Sequence, residues 1–338
     1  MILALAGGVG GARLARGLAA ALAPEALTII VNTGDDFEHL GLHVSPDIDT
    51  VMYTLAGLNN RQQGWGLAGE SWAFMSALRR LGGATWFQLG DQDLATHVER
   101  TWRLKTQPLS AVTAEFCARL NVRHRVVPMT DDPVRTLVDT DEGRLAFQDY
   151  FVRRQSAPRF RAISLAGIEA ARPHSALAAA LADPALAAIV ICPSNPVLSI
   201  RPILALPGIT ELLRRRRAPV VAVSPFIGGQ AIKGPAAKIM HELGLPVSPA
   251  GLASFYGDLL DGLVIDRADA ALAEGLAGPA IMATNTLMRD DADQERLARE
   301  TLHFASRLHP MRRQPTPDED IGRTRGLPIR PRPQIHSR

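Results

Sequence analysis

Short apolar runs alternate with helical stretches along most of the chain. Residues 2–6 (Ile-Leu-Ala-Leu-Ala) are apolar throughout, which predicts a strand buried on both faces. In residues 12–22 Leu14, Leu18 and Leu22 recur every four positions, which predicts a helix with one apolar face, ended by Pro24. Residues 27–31 (Leu-Thr-Ile-Ile-Val) predict a second strand, so the chain opens with a right-handed βαβ unit. Gly7 to Gly11 are expected to form the turn into the helix, and Asn32 to Asp36 the loop after the second strand.

Ser45-Pro46 suits the cap and first position of a helix over 47–57. Further periodicity predicts a helix over 70–81, a strand over 85–89 and a mainly helical stretch over 94–120. Alternation in 134–139 and 144–150 around Asp141-Glu142-Gly143 predicts a hairpin. Buried strands are then expected at 187–192, 219–223, 262–266 and 280–284, with a last helix over 292–307. The rhythm predicts an α/β chain: a parallel sheet with helices on both faces, interrupted by a smaller, mainly helical section. The expected division is a core over 1–91, an inserted section over 92–160, the rest of the core over 161–310, and a disordered tail over 311–338.

Composition narrows the class. With 46% apolar and 21% charged residues, wholesale disorder is excluded. Cys117 and Cys192 lie far apart, which argues against a structural zinc site or a disulfide framework. No uncharged apolar run of about 18 residues occurs, so no membrane span is expected and the protein reads as cytoplasmic. The net charge of +3 suggests an anionic partner, but it is unevenly placed. Residues 311–338 carry seven arginines against three acids, a surplus of +4, which leaves −1 for the rest. Nucleic acid is therefore not an expected partner, and the tail is expected to be dispensable for activity. Arginine supplies 34 of the 37 cations, so Lys233 and Lys238 stand out as candidate point charges for phosphate.

Ligands in such a sheet bind beyond the carboxyl ends of the strands, where every unusual loop of this chain falls. Gly7-Gly8-Val9-Gly10-Gly11-Ala12-Arg13 allows close backbone approach and leads into a helix N-terminus, which suits phosphate. It fits neither the dinucleotide fingerprint, because Arg13 replaces the third glycine, nor the P-loop. Asp35, Asp36, Asp47 and Asp49 lie near that loop and suit magnesium or proton transfer, although acids in a first helical turn are favoured by the helix dipole alone. Gly90-Asp91-Gln92-Asp93 is expected as an exit loop touching ligand, with His97 one turn on as a weaker candidate base. Ser194-Asn195-Pro196 and the run from Ser224-Pro225 to Lys233 suit recognition of a base or phosphate, and Arg153-Arg154 is a further anion clamp candidate.

Together these segments resemble the 2-phospho-L-lactate transferases of coenzyme F420 biosynthesis. The matching stretches are the Gly7–Arg13 loop, Asn32-Thr33-Gly34-Asp35-Asp36, Ser45-Pro46-Asp47-Ile48-Asp49-Thr50 and Leu89-Gly90-Asp91-Gln92-Asp93-Leu94-Ala95-Thr96-His97. Pro128-Met129-Thr130-Asp131-Asp132, Phe147-Gln148-Asp149, Pro193-Ser194-Asn195-Pro196 and Ser224-Pro225 also match, in order over roughly residues 1–300. The resemblance implies a Rossmann-like three-layer α/β/α fold and a magnesium-dependent transfer of a phospho-three-carbon-acid group. The donor is a guanosine diphosphate ester, the acceptor is the hydroxyl of the deazaflavin Fo, and GMP leaves. The acid is 2-phospholactyl, phosphoenolpyruvyl or 3-phosphoglyceryl.

On the same resemblance Asp35 and Asp49 are expected catalytic groups, and Asp35, Asp36 and Asp47 magnesium ligands. Gly8, Gly10, Gly11, Arg13, Ser194, Asn195, Ser224, Pro225 and Lys233 are expected to hold the nucleotide and its phosphates, and Asp49, Asp91 and Gln92 to contact Fo. A homodimer is implied. Gln92 departs from the family, which usually carries a basic residue there. A related family of nucleotide-sugar-binding regulators shares the glycine loop. It usually continues after the paired aspartates with glycine and serine, where this chain has Phe37-Glu38-His39-Leu40. A nicotinamide oxidoreductase is disfavoured by the broken fingerprint.

Overall fold

The computed structural model describes residues 1–232 and 234–308. Lys233 and the expected tail, 311–338, lie outside the described residues. The chain opens with β1 (Ile2–Ala6), α1 (Gly8–Ala21) and β2 (Leu27–Val31). A hairpin, β3 (Phe37–His39) and β4 (Leu42–Val44), leads to α2 (Pro46–Ala56), α3 (Ala73–Arg80), α4 (Asp91–Arg103), α5 (Leu109–Arg119) and β5 (Arg125–Pro128). An antiparallel sheet follows, made of β6 (Arg135–Thr140), β7 (Gly143–Ala146) and β8 (Phe160–Ala166). The second half runs through α6 (Ser175–Ala182), β9 (Ala188–Ile191), α7 (Arg201–Leu204), α8 (Ile209–Arg215) and β10 (Val220–Val223). It continues through a short hairpin, β11 (Phe226–Ile227) and β12 (Gln230–Ala231), then α9 (Ala236–Glu242), α10 (Pro249–Tyr256), β13 (Gly262–Asp266), β14 (Ala280–Thr284) and α11 (Asp291–Ser306).

Seven strands make one sheet in the order β14-β13-β10-β9-β1-β2-β5, and every pairing is parallel. Period-two alternation on β1 divides the core. Leu3 and Leu5 face a layer that includes α6, α8 and α10, while Ile2, Ala4 and Ala6 face α1, α2, α5 and α11. This is the expected Rossmann-like α/β fold. β1 pairs with β2 on one side and β9 on the other, so the strand order reverses between β1 and β9. A crevice opens at such a reversal, beyond the strand ends.

Four local expectations change. The glycine run is not a loop, because α1 begins at Gly8 and only Gly7 lies outside it. Residues 85–89 form no strand. Trp86 and Phe87 pack against the rings of Phe37 and His39 at 4.9–6.2 Å. The edge strand β5, within the 92–160 span, joins the main sheet by pairing Val31 with Pro128 at its end, where a missing N–H is tolerated. The 134–150 hairpin gains β8 as a third strand. Among the described residues no single helix is long and apolar enough to cross a membrane.

Candidate active site

A cleft of about 620 Å³ opens at the reversal between β1 and β9. Its floor gathers segments far apart in sequence: Gly7, Gly8 and Gly10, Asp35, Asp47, Ser194, Asn195 and Ser199. Arg13, Ser224 and Pro225 also line it. The expected site thus converges in large part. Gly11, Asp36, Asp49, Asp91 and Gln92 are not among the lining residues.

The floor is held by direct packing. α1 has no side-chain cap of its own, and Asp47 on α2 supplies one, its Oδ1 accepting from the Gly8 N–H at 2.7 Å. The Ser194 Oγ accepts from the Gly7 N–H at 3.1 Å. These contacts explain the glycines. A Cβ on Gly10 would lie 2.2 Å from the Pro193 carbonyl oxygen, and one on Gly11 2.4 Å from Ser194 Oγ. Gly8 has a positive φ of 63°, yet a Cβ on it would meet nothing nearer than Asp47 Oδ1 at 4.0 Å. We therefore expect Gly10→Ala to cost more stability than Gly8→Ala: about 3 kcal/mol for overpacking against backbone, against about 1–2 for left-handed strain. Thermal melts of the two variants check this, and equal losses would contradict it.

The carboxylates divide by environment. Asp47 also accepts from Asn32 Nδ2 at 3.0 Å. Burial pushes its carboxyl up to about 6, with the charge of Asp36 adding to the rise. Asp35 is buried and its Oδ1 has no hydrogen-bond partner. Burial, then the charge of Asp47, holds the Asp35 carboxyl well above the usual carboxylate range. Asp36 turns away from the cleft, its Oδ2 accepting from Ser45 Oγ at 2.9 Å and facing His43 Nε2 at 3.1 Å. Ser45 precedes α2 as expected, but its hydroxyl serves Asp36 instead of the helix. The three expected magnesium ligands thus do not converge as three, and two of them face the cleft. That pair fits a divalent cation: one buried oxygen is unpartnered, and mutual repulsion is what a cation would relieve. Magnesium binds few protein carboxylates when substrate phosphates complete its shell.

Asp49 takes a different place. Arg100 from α4 donates to both its oxygens, at 3.0 Å from Nη1 to Oδ2 and by a short contact from Nη2 to Oδ1. His97 lies between Asp49 and Asp93, with Nδ1 3.8 Å from one and Nε2 3.4 Å from the other, and Tyr53 donates to Asp93 at 2.7 Å. Asp49, Asp93 and His97 have the spacing of a metal set, but the Arg100 guanidinium already supplies the positive charge. The network is buried and ties α2 to α4. It fixes the turn that carries Asp47, and neither Asp49 nor His97 lines the cleft.

Asp91 and Gln92 are likewise structural. The residues from Gly90 onward open α4 and do not form the exit loop of a strand. Asp91 accepts from the Ala73 and Phe74 N–H groups, both at 3.0 Å, while Glu70 accepts from those of Gln92 and Asp93, both at 2.8 Å. Each helix start is capped by a carboxylate from the other segment. The Gln92 amide donates to the Gly69 carbonyl at 3.1 Å, so the missing basic residue leaves no gap in the cleft lining. Arg153 and Arg154 pair with Asp149 and Glu142 and lie outside the lining. Asn195 caps the turn after β9 through Val197 and Leu198 N–H. Lys238 pairs with Glu242.

Sequence reasoning missed the cleft's aromatic lining. Trp65, Trp86, Phe87, Phe147 and Phe151 line it, the last two stacked at 5.4 Å with ring planes 9° apart. In a chain with only 17 Phe, Trp and Tyr residues, five lining one cleft is a concentration that contact between distant segments alone reveals.

The fold and cleft define an α/β protein whose strand-end cleft is lined by a helix start, two carboxylates, serines and five aromatic rings. The model of the family 2-phospho-L-lactate transferase CofD matches residues 2–303, and the chain belongs to that family of coenzyme F420 biosynthesis transferases. It is 44% identical to a phosphoenolpyruvate transferase of Kitasatospora aureofaciens, over 91% of this chain and 98% of that one. It is 42% identical to a 2-phospho-L-lactate transferase of Methanopyrus kandleri, over 90% of this chain and 97% of that one. A Bacillus halodurans crystal structure from the UPF0052 family superposes with a TM-score of 0.56 at 16% identity, covering 89% of this chain and 98% of that one, a likeness of fold.

Proposed function

We propose that this enzyme transfers a phospho-three-carbon-acid group from a guanosine diphosphate ester to the hydroxyl of Fo. The observation that carries this reading is the mixed lining of the cleft: the start of α1, Asp35, Asp47 and Ser194 suit a diphosphate and its cation, and Trp65, Trp86, Phe87, Phe147 and Phe151 offer ring faces to a flat aromatic acceptor. The Fo hydroxyl oxygen bonds to the phosphorus that bears the acid. The bond from that phosphorus to the bridging oxygen breaks, and GMP leaves with the electron pair. The Asp35 carboxylate oxygen that a cation would leave free takes the hydroxyl proton. The α1 N-terminus and Ser194 place the donor phosphates. Asp35 and Asp47 would hold magnesium, which when bound supplies positive charge to the diphosphate oxygens. We also propose that the enzyme works as a cytoplasmic homodimer.

The relatives named above are a phosphoenolpyruvate transferase and a 2-phospho-L-lactate transferase at nearly equal identity, so overall similarity does not choose the acid. Fo binding, followed by its fluorescence, tests the reading. We expect saturable binding, weakened about tenfold in Trp86→Ala by loss of base–aromatic-type stacking, with GDP affinity unchanged. Tight binding of a nucleotide sugar without Fo binding would favour the regulator of related fold instead.

A further inference from the structure

A second, polar pocket of about 40 Å³ lies beside the cleft, lined by Arg13, Arg16, Thr54, Asn59, Arg61, Arg289, Asp291 and Gln294. It is formed where α1, the segment after α2 and the start of α11 meet. Four guanidiniums line it with one carboxylate. Arg16 and Arg61 share Asp291, at 2.8 and 2.9 Å, and Arg289 pairs with Asp293. Arg13 has no carboxylate partner among the described residues and donates to the Met288 carbonyl at 3.0 Å. Burial, then repulsion from Arg61, lowers its pKa.

A second, independent feature points to a missing ligand. Gln294 is 5% exposed and its Oε1 has no hydrogen-bond partner, and neither has the buried Asn59 Oδ1. Buried amides rarely stay unsatisfied. A hydrogen phosphate would answer both features. Its oxygens accept from the guanidinium forks, and its P–O–H donates to an amide oxygen; an amide turned over would donate N–H instead. Asp291, with half of its side chain exposed, is a counter-ion that such an anion can displace.

We propose that this pocket is a binding site for a phosphate-type oxyanion, in which Asp291 holds the arginines in place until the anion arrives. Arg13 lines both cavities, so the site abuts the cleft. The inference rests on the pocket's own residues and stands whether or not Fo is the acceptor.

The test is calorimetric titration of the full chain with inorganic phosphate, with and without saturating GDP. Arg61 lies outside the cleft lining and is about half exposed, so Arg61→Gln should fold. Circular dichroism checks this, with Arg61→Lys as a second variant. We expect Arg61→Gln to weaken phosphate binding about tenfold, as for loss of a charge-assisted bond, and Asp291→Asn to tighten it severalfold. Persistence of phosphate binding under GDP identifies free phosphate as the occupant. Loss under GDP, with GDP itself bound about tenfold more weakly by Arg61→Gln, identifies a phosphate of the nucleotide. No phosphate binding by wild type, phosphate and GDP affinities unchanged in Arg61→Gln, or weaker binding in Asp291→Asn would each overturn the proposal.

Discussion

Asp35→Asn is expected to lower transfer by at least about 100-fold, the contribution of a positioned proton acceptor, while the folded protein gains stability. The two effects share one cause. Asp35 is buried with Oδ1 unpartnered, and its carboxyl is held well above the ordinary 3.8 by burial and then by Asp47. The folded state therefore keeps a proton that the unfolded chain has released, and stability falls as pH rises from near 3.8 towards the raised value. An asparagine has no proton to release. The variant should melt like wild type below pH 3.8 and above it at pH 8 without magnesium. Adding magnesium should raise the wild-type melting temperature at pH 8 and barely move that of the variant. A variant that keeps its activity, or melts lower at pH 8, would remove Asp35 from the role assigned.

Arg100→Met is expected to cost about 3–5 kcal/mol, because it strands the buried Asp49 carboxylate. For a chain of this size that is a fall of about 4–7 °C in melting temperature. Asp49→Leu added to Arg100→Met should recover most of the loss, since the pair then leaves together. Activity of the double variant separates the two readings of Asp49. Transfer within about tenfold of wild type fits a residue that positions the Asp47 turn, whereas the loss of a catalytic proton acceptor costs about 10²–10⁴-fold. A single variant that melts within a degree of wild type would contradict the network's structural role.

The parts of the fold legible in the sequence were those in which one pattern dominates. β1, β2, β9, β10 and β13 are buried on both faces and read as apolar runs, the edge strand β14 reads as one although only Thr284 is buried, and Leu14 and Leu18 mark the inner face of α1. β5 escaped because Arg-Val-Val-Pro is short, sits at the edge and ends in proline. The β3–β4 hairpin escaped because its turn is Leu40-Gly41, with φ of 53° and 74°, and lacks the usual asparagine. Trp86-Phe87 reads as strand because aromatics favour strands, yet ring packing against Phe37 and His39 takes both.

At the site, residue types were legible and their directions were not. Four aspartates follow the glycine loop in sequence, but only packing decides that Asp35 and Asp47 face the cleft while Asp36 serves Ser45 and Asp49 serves Arg100. Arg100, between Glu99 and Thr101 on α4, reads as a surface residue. Its burial depends on Asp49, some fifty positions earlier.

The most direct test of the proposed chemistry is mass spectrometry of the product formed from Fo, magnesium and each guanosine diphosphate ester in turn. The expected product is an Fo phosphodiester carrying the intact three-carbon acid, with one GMP per turnover, formed at least about 100-fold more slowly by Asp35→Asn. No Fo adduct with any of the three donors, or release of GDP in place of GMP, would contradict it.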